Sequence, residues 1–289
     1  MHVLVGDNPF HGIKHLAQSE ARFRGGVKDL GYAIKLVISS KDAGADGFML
    51  SVSDTTLSIL SGIRNHVDRG KFLIAAIAPY AYEYVRKATV VGTVGLVREF
   101  VNNITRSSNI RAVYHGFRAA VSMDLLNGLK ALIDYELGRI KNAYGSKPWT
   151  LMLHELIVDT LVPYGFTEVL VEALEYIRSR GVVPGVETRN LPTIYEALRE
   201  YSVMDYVVFS APFNRVGFQM SPSKEAYEEF VRRYPGKLIA FSVLASGLLK
   251  PREALDYVAK FKNELLGIVI GVSKEEQVSV FKLARELLG

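Results

Sequence analysis

The residues that suggest chemistry most directly are a histidine and a glutamate at the ends of two successive apolar runs. His154 ends the run 150–154, and Glu187 follows the run 182–186. Because side chains alternate along a strand, each shares a face with the residue two positions earlier. If both faces border one cavity, an imidazole and a carboxyl group meet there and can transfer protons to and from a substrate. The alternative is structural, with His154 a buried histidine that Glu187 orients.

Further acidic groups follow the same kind of run. Asp7 follows the run 3–6, and Glu155 comes directly after His154. Asp54 follows another run, although a helix beginning at the next residue would explain it as an N-cap. The candidates for acid–base catalysis are His154, Glu187, Glu155, Asp54 and Asp7.

A metal site is a weaker interpretation of the histidines. His11 and His15 are four residues apart, which suits metal binding on a helix, but Pro9 and Gly12 favour a loop there. The Glu-x-x-His spacing that marks zinc proteases is missing. We therefore assign no metal ligands. A divalent metal stays an alternative, with Asp7, His154 and Glu187 as the expected ligands.

The elements that must position these groups follow a regular alternation. Eight short apolar runs predict buried strands at 3–6, 47–52, 72–78, 150–154, 182–186, 206–210, 238–242 and 267–272. Helical patterns separate or follow them at 30–43, 55–67, 166–179, 192–201, 224–233, 251–261 and 274–288. Nearly continuous hydrophobicity is typical of parallel strands covered on both faces. The pattern predicts an α/β fold, a (β/α)8 TIM barrel whose active site lies at the carboxyl ends of the strands.

The connection after the third predicted strand is longer than one crossover needs. Residues 79–149 contain helical segments near 95–104 and 125–144, while 110–115 could form a ninth strand. We favour a helical insertion between strands 3 and 4. We expect a single domain over 1–289, with 80–148 as an extended helical crossover.

Composition excludes several classes of protein. Of the 289 residues, 49 % are hydrophobic and none is Cys, which argues against a disordered chain or a disulfide scaffold. Basic and acidic residues are interspersed, so no nucleic-acid partner is expected. No apolar stretch is long enough to span a membrane, and the N-terminus lacks a secretory signal. We expect a cytoplasmic protein with a small-molecule substrate, and the missing Cys hints at a thermophile.

An anion site is expected after the last predicted strand. Ser273 and Lys274 precede a helical pattern, and a helix N-terminus with a lysine favours a negative group. Barrels often bind phosphate after strands seven and eight. The structural alternative is that Ser273, with Glu276 three residues later, forms a capping box. Glycine-rich phosphate motifs are absent.

Two segments resemble the aldo-keto reductase superfamily. Residues 239–249 are similar to its strand-seven segment, which meets the cofactor pyrophosphate, and 267–278 to its strand-eight segment, which holds the adenosine phosphate. The resemblance implies that the chain binds NADP(H). The residues it implies for the phosphates are Ser242, Leu244, Gly247, Ser273, Lys274 and Gln277.

Two shorter segments extend the resemblance to residues 149–289. Residues 210–214 resemble the strand-six motif Gln-x-x-Tyr-Asn, with Ser210 in place of Gln. Residues 151–154 resemble the strand-four segment that supplies an active-site histidine, here His154. The resemblance implies that Phe213 stacks on the nicotinamide. It also places Asn190 and Asn214 beside the cofactor.

The N-terminal half departs from the family at its catalytic positions. The family's Asp and Tyr positions fall near Met49 and Asp54, and Ile77 or Ala76 stands at the Lys position. The resemblance therefore implies an oxidoreductase in which His154 or a carboxyl group supplies the proton. One alternative is a barrel lyase, isomerase or hydrolase acting on a small anionic substrate. Another is an inactive barrel that binds a nucleotide or a partner.

Overall fold

A closed barrel of eight parallel strands forms the centre of the molecule. The computed structural model describes residues 1–11, 29–80 and 125–289. Each strand pairs with its neighbours in chain order, and β8 pairs with β1. The strands are β1 (His2–Gly6), β2 (Gly47–Ser51), β3 (Leu73–Ala78), β4 (Thr150–Leu153), β5 (Val183–Glu187), β6 (Val208–Pro212), β7 (Leu238–Phe241) and β8 (Leu265–Gly271). The predicted (β/α)8 barrel is confirmed.

All eight predicted strands are present, and β6 differs most from its expected position. The sequence pattern places it at 206–210, whereas the strand runs from Val208 to Pro212. A short 3-10 helix, Ser202–Asp205, precedes it, and the backbone N–H groups of Tyr206 and Val207 both donate to the Val203 carbonyl oxygen. Those bonds hold the two residues in the turn, so pairing with β5 begins later.

Helices surround the strands in the described part of the chain. The helices are α1 (Leu30–Asp42), α2 (Asp54–Ile63), α3 (Leu125–Tyr144), α4 (Glu155–Leu161), α5 (Thr167–Ser179), α6 (Leu191–Leu198), α7 (Lys224–Arg233), α8 (Pro251–Ala259) and α9 (Ser279–Leu288). Helix α3 packs between α2 and α5, so it occupies the place of an ordinary crossover helix. The predicted segments 95–104 and 110–115 lie outside the described residues, and the helical insertion stays a prediction.

The first residues of two helices make different capping contacts from those that the sequence predicts. Ser53, not Asp54, caps α2: its Oγ accepts from the Thr56 N–H at 3.2 Å, while Thr56 Oγ1 accepts from the Ser53 N–H at 3.0 Å. Near the C-terminus, Glu276 is not the capping partner of Ser273. Gln277 takes that role, because its Oε1 accepts the Ser273 N–H at 2.8 Å.

The core has two layers, as strand alternation requires. One set of side chains packs between the strands and the helices. The other fills the barrel interior with Leu4, Met49, Ala75, Ile77, Met152, Val208, Ile239, Phe241 and Val269. Gly185 belongs to this interior, where a Cβ would come within 2.5 Å of Met152 Cγ and 2.9 Å of the Val208 carbonyl oxygen. The interior is therefore filled below the residues that end the strands.

Among residues 1–11, 29–80 and 125–289, no helix combines the length and the apolar character that crossing a membrane would need.

Candidate active site

A small cavity lies at the carboxyl ends of the strands. Its volume is about 70 Å³. Apolar side chains from the barrel interior form its lower wall, and polar groups at or after the ends of β1 to β5 form the rest. The lining residues are Gly6, Asp7, Asn8, Met49, Ser51, Ile77, Tyr80, His154, Glu155, Glu187, Arg189, Phe241 and Val269.

His154 stands between β4 and α4 and belongs to both the helix and the cavity. As the N-cap of α4 it accepts the Leu156 N–H on Nδ1 at 3.1 Å, which leaves Nε2 as the protonated nitrogen of the neutral ring. Nε2 lies 3.9 Å from Glu187 Oε2, too far for a hydrogen bond. Burial lowers the pKa of His154, with Glu155 opposing and Arg189 reinforcing the shift. The ring is therefore neutral at neutral pH, with one N–H at the cavity.

Glu187, the last residue of β5, is an acid kept in its protonated form. Burial is the main cause that raises the pKa of Glu187 to about 8, and the carboxylates of Glu155 and Asp7 act in the same direction. Arg189 and a hydrogen bond from the Glu155 backbone lower the pKa of Glu187 without outweighing burial. No hydrogen-bond partner reaches Oε2 from the described residues. The side chain can therefore donate a proton at pH 7.

Arg189 supplies the positive charge of the cavity. Its Nε lies 2.5 Å from Glu155 Oε2, and its guanidinium group lies 5.7 Å from the centroid of the Phe241 ring. Nη1 is buried without a hydrogen-bond partner in the described part of the chain. Asp159 on α4 fixes the backbone, since its carboxylate accepts the Arg189 N–H at 3.1 Å and the Thr188 hydroxyl at 2.5 Å. The guanidinium group is thus held with one unused donor.

Asp7 occupies the opposite wall, at the end of β1. Its Oδ2 accepts the Ser51 N–H at 2.6 Å and lies 3.1 Å from His11 Nε2. The His11 ring stacks on Tyr80 with a centroid separation of 4.8 Å. Asp7 is 6 % exposed, so these contacts fix a nearly buried carboxylate at the edge of the cavity.

Polar atoms without partners are concentrated on one side of the mouth. Native proteins satisfy most buried polar groups, so exceptions call for an explanation such as a catalytic role or a bound molecule. Within the described residues, four buried side-chain atoms lack a hydrogen-bond partner. They are Glu155 Oε2, Glu187 Oε2, Arg189 Nη1 and Ser210 Oγ. Of these, Glu155 Oε2 has a charged partner all the same, because it is in ion-pair contact with Arg189 Nε. Glu187 ends β5, Glu155 and Arg189 lie in the segments after β4 and β5, and Ser210 lies in the middle of β6.

The expected phosphate side is an exposed surface after β7 and β8. Ser242 follows β7 with a φ of 53°, and its hydroxyl lies 3.5 Å from Gln219 Oε1. The turn continues through half-buried Leu244 to exposed Gly247. After β8, Lys274 is exposed, and no carboxylate of the described residues lies within ion-pair distance of it. Gln277 Oε1 also accepts from the Ser273 hydroxyl at 3.2 Å, so the chain itself satisfies these groups.

The structure places two of the expected cofactor residues away from the mouth. Phe213 is fully buried, and its ring stacks on Tyr257 at 5.6 Å in the layer outside the barrel. The Asn214 amide closes a loop by donating to the Phe218 carbonyl oxygen at 2.9 Å and accepting the Phe218 N–H at 2.8 Å. Phe241, which the sequence interpretation overlooked, is the phenylalanine that lines the cavity.

Asp54 and Asn190 differ from the other candidates in their contacts. Asp54 is exposed on α2 and pairs with Arg139 at 2.6 Å, and it does not line the cavity. Asn190 is half-buried and accepts the Thr193 hydroxyl at 2.9 Å. The structure thus brings together His154, Glu187, Glu155 and Asp7. Arg189 was also overlooked, although its place in the loop directly after a predicted strand was a signal that could have identified it.

The described residues show no arrangement suited to a metal ion. Among them, no cluster of three or more His, Asp or Glu side chains has the geometry of a ligand set. His15 lies outside the described residues, and in the described part of the chain the divalent metal that the sequence left as an alternative has no preformed ligand set.

Comparison with known proteins identifies the fold. No family model matches the sequence, and no curated protein is significantly similar to it. A Pseudomonas aeruginosa protein assigned to the aldo-keto reductases superimposes with a TM-score of 0.63 at 12 % identity, covering 99 % of this chain and 90 % of that one. An aldo-keto reductase from Bacillus halodurans in its holo form gives 0.58 at 12 % identity, with coverages of 99 % and 86 %.

A third structure adds a bound nucleotide. An aldo-keto reductase from Klebsiella pneumoniae in complex with NADPH has a TM-score of 0.56 at 12 % identity, covering 100 % of this chain and 86 % of that one. At this identity the likeness establishes a shared barrel fold. Met49 and Ile77, which stand at or near the family's expected Asp and Lys positions, are apolar residues of the barrel interior that line the cavity.

Proposed function

We propose that this chain is an oxidoreductase of the aldo-keto reductase type that uses NADP(H), with Glu187 as the proton donor. The observation that carries the proposal is a protonated, nearly buried carboxyl group whose Oε2 has no partner within the described residues, in a barrel of the aldo-keto reductase fold. Reduction of a carbonyl group requires a proton for the developing alkoxide. Glu187 holds one at neutral pH.

The donor groups after β7 and β8 suit the phosphates of the cofactor. Lys274 offers an exposed ammonium group, and the turn after β7 exposes Ser246 and Gly247. A Cβ added at Gly247 would meet no heavy atom of the described residues within 4 Å, so these residues leave the space above this turn open. Ser242, Leu244, Gly247, Ser273, Lys274 and Gln277 remain our candidates for binding. Phe241 replaces Phe213 as the ring we expect beside the nicotinamide, while Asn214 is committed to its loop.

The protein's own residues handle the proton in this proposal. NADPH, when bound, supplies the hydride that the carbonyl carbon receives. The His154 Nε2–H donates a hydrogen bond to the carbonyl oxygen and stabilises the negative charge that develops there. Glu187 transfers its proton to that oxygen, which gives the alcohol. The resulting carboxylate is stabilised by Arg189 until it regains a proton from water.

Nucleotide binding tests the cofactor assignment. We expect NADPH to raise the Tm of the wild-type protein and Lys274→Glu to weaken NADPH binding about tenfold to a hundredfold, because a charge-assisted hydrogen bond is worth about 1.5–3 kcal/mol. Lys282→Glu is the matched control, since Lys282 is exposed on α9 and lies outside the candidate site. Titration calorimetry measures both affinities.

Two results would contradict the cofactor assignment. One is a wild-type protein whose Tm does not respond to NADPH. The other is an equal loss of affinity in the Lys274 and Lys282 variants, which would show that only the overall charge matters.

A further inference from the structure

Two carboxyl groups border the cavity from opposite walls, and the proposed reduction uses only one. Asp7 directly follows β1 and Glu187 ends β5, and in an eight-stranded barrel closed in chain order these strands lie opposite each other. Both residues are at least nine-tenths buried. A molecule in the cavity therefore has a carboxyl group on each side.

The two carboxyl groups have complementary hydrogen bonding. Asp7 accepts bonds from the Ser51 N–H and His11 on the same oxygen, Oδ2. Its Oδ1 takes no bond from the residues that the structure describes. Glu187 lies among acidic neighbours and keeps its proton, with Oε2 unpartnered. One wall thus presents a free carboxylate oxygen, and the other presents an acid.

Cavity size and charge restrict the molecule that fits. A volume of about 70 Å³ restricts the occupant to a small molecule. The charge of Arg189 is balanced by Glu155, whereas no lysine or arginine of the described residues pairs with Asp7. A small neutral molecule therefore suits the cavity better than the anion expected from the sequence. The unused Nη1 of Arg189 can donate to a hydroxyl or carbonyl oxygen of that molecule.

We propose that the cavity also catalyses enolisation of a neutral three- or four-carbon hydroxycarbonyl compound, with Asp7 as base and Glu187 as acid, and without a nucleotide. Asp7 removes a proton from the carbon next to the carbonyl group, and the C–H electron pair forms a C=C bond. The carbonyl π electrons move to the oxygen, which takes the Glu187 proton. The product is an enediol, and reversal at the other carbon gives the isomeric hydroxycarbonyl.

The step is balanced without any oxidant or reductant. Asp7 gains the proton that Glu187 loses, and the reverse step restores both groups. In D₂O the proton on Asp7 exchanges with solvent, so the reverse step places deuterium on carbon. The inference shares Glu187 with the proposed reduction but depends neither on NADP(H) nor on the phosphate surface.

Deuterium incorporation tests this activity directly. Dihydroxyacetone is incubated with the full-length protein in D₂O without nucleotide, and loss of its methylene proton signal is followed by NMR. We expect exchange at least tenfold faster than in buffer for the wild-type protein, and exchange close to the buffer rate in Asp7→Asn. Asp42→Asn, at an exposed acid on α1, is the matched control and is expected to retain the wild-type rate.

The readouts separate this inference from the proposed reduction. The amide oxygen introduced by Asp7→Asn can still accept the Ser51 N–H, and the Tm of the variant shows whether it is folded. If Asp7→Asn does not fold, Glu187→Gln replaces it, and we expect the same loss of exchange. Wild-type exchange no faster than in buffer, or exchange unchanged in a folded variant, overturns the enolisation whatever the NADPH measurements show. Exchange that depends on Asp7 supports it even if NADPH does not bind.

Discussion

The two sides of the barrel mouth differ in how their polar groups are satisfied. On the side of β4, β5 and β6, four buried side-chain atoms lack hydrogen-bond partners in the described part of the chain, and Glu187 keeps a proton at neutral pH. On the side of β7 and β8, the polar groups are exposed or bonded to one another, as Ser273 is to Gln277. The first side holds polar groups at a cost in stability, and the second does not.

This difference suits the two sides to different roles: the buried side to catalysis and the exposed side to binding. A buried carboxyl group loses its hydration, which disfavours the charged form and leaves a proton available at neutral pH. A phosphate requires only a positive charge and accessible N–H groups, which an exposed surface can provide. We therefore expect substitutions on the buried side to change catalysis and pH dependence, and substitutions on the exposed side to change affinity.

The largest expected effect tests the buried side. Glu187→Gln keeps the shape of the side chain but removes its proton, so kcat for NADPH-dependent carbonyl reduction should fall about 10²–10⁴-fold. NADPH absorbance measures the rate with any carbonyl compound that the wild-type protein reduces. Glu229→Gln, at an exposed residue on α7, is the matched control. If Glu187→Gln keeps more than about a tenth of the wild-type kcat, Glu187 is not the proton donor.

The second prediction separates the two roles of His154. Asn is a good N-cap, so His154→Asn should preserve the start of α4 while removing the Nε2–H donor. We expect kcat to fall about 10²–10³-fold, as for the loss of one donor to a developing oxyanion, with Tm lowered by only a few degrees. Circular dichroism and steady-state kinetics check the two expectations. A large loss of Tm with an unchanged kcat in the remaining folded protein would show that His154 is only structural.

The third prediction uses the pH dependence of stability. Glu187 binds its proton more tightly in the folded state, where its pKa is about 8, than at its ordinary value of 4.5. The wild-type protein therefore loses stability as pH rises from 4.5 to 8, whereas Glu187→Gln lacks this titration. The Tm of the variant relative to wild type should rise over that range by an amount equivalent to a few kcal/mol, then level off. A constant Tm difference would show that Glu187 is ionised in the fold.

The smallest expected effect concerns a candidate that the structure places outside the cavity. The Asp54 side chain is 75 % exposed in its ion pair with Arg139. Exposed pairs contribute about 0–1 kcal/mol, so Asp54→Asn should change the free energy of unfolding by no more than about 1 kcal/mol. We expect kcat to stay within about twofold of wild type. A tenfold loss of kcat would show that a residue outside the cavity contributes to catalysis. It would contradict the difference that we propose between the two sides.

The contrast between the two sides also shows which site residues a sequence pattern can place and which it cannot. His154 and Glu187 could be paired because each ends a strand, and the alternation of side chains puts both at the barrel interior. Phe213 could not be placed this way, since β6 runs later than its pattern suggests. Val208, Ser210 and Pro212 share the interior face of β6. Phe213, the next residue, therefore faces outward.

Arg189 shows another limit of the sequence. It lies beyond the end of β5, where strand alternation no longer fixes direction. Its position depends on Asp159 of α4, which accepts its backbone N–H, and on Glu155, which pairs with the guanidinium group. Both partners come from a helix that the sequence pattern did not indicate. Such contacts require the tertiary structure because they join residues about 30 positions apart.

The sequence by itself determined the eight strands and their parallel order, because nearly continuous apolar runs alternating with amphipathic helices have few other ways to bury their surface. It also placed His154, Glu187, Glu155 and Asp7 at strand ends. Only the tertiary structure decided the protonation of Glu187, since the pKa depends on burial and on charges from other strands. It also decided that Asp54 and Phe213 stay outside the cavity, which depends on packing rather than on residue type.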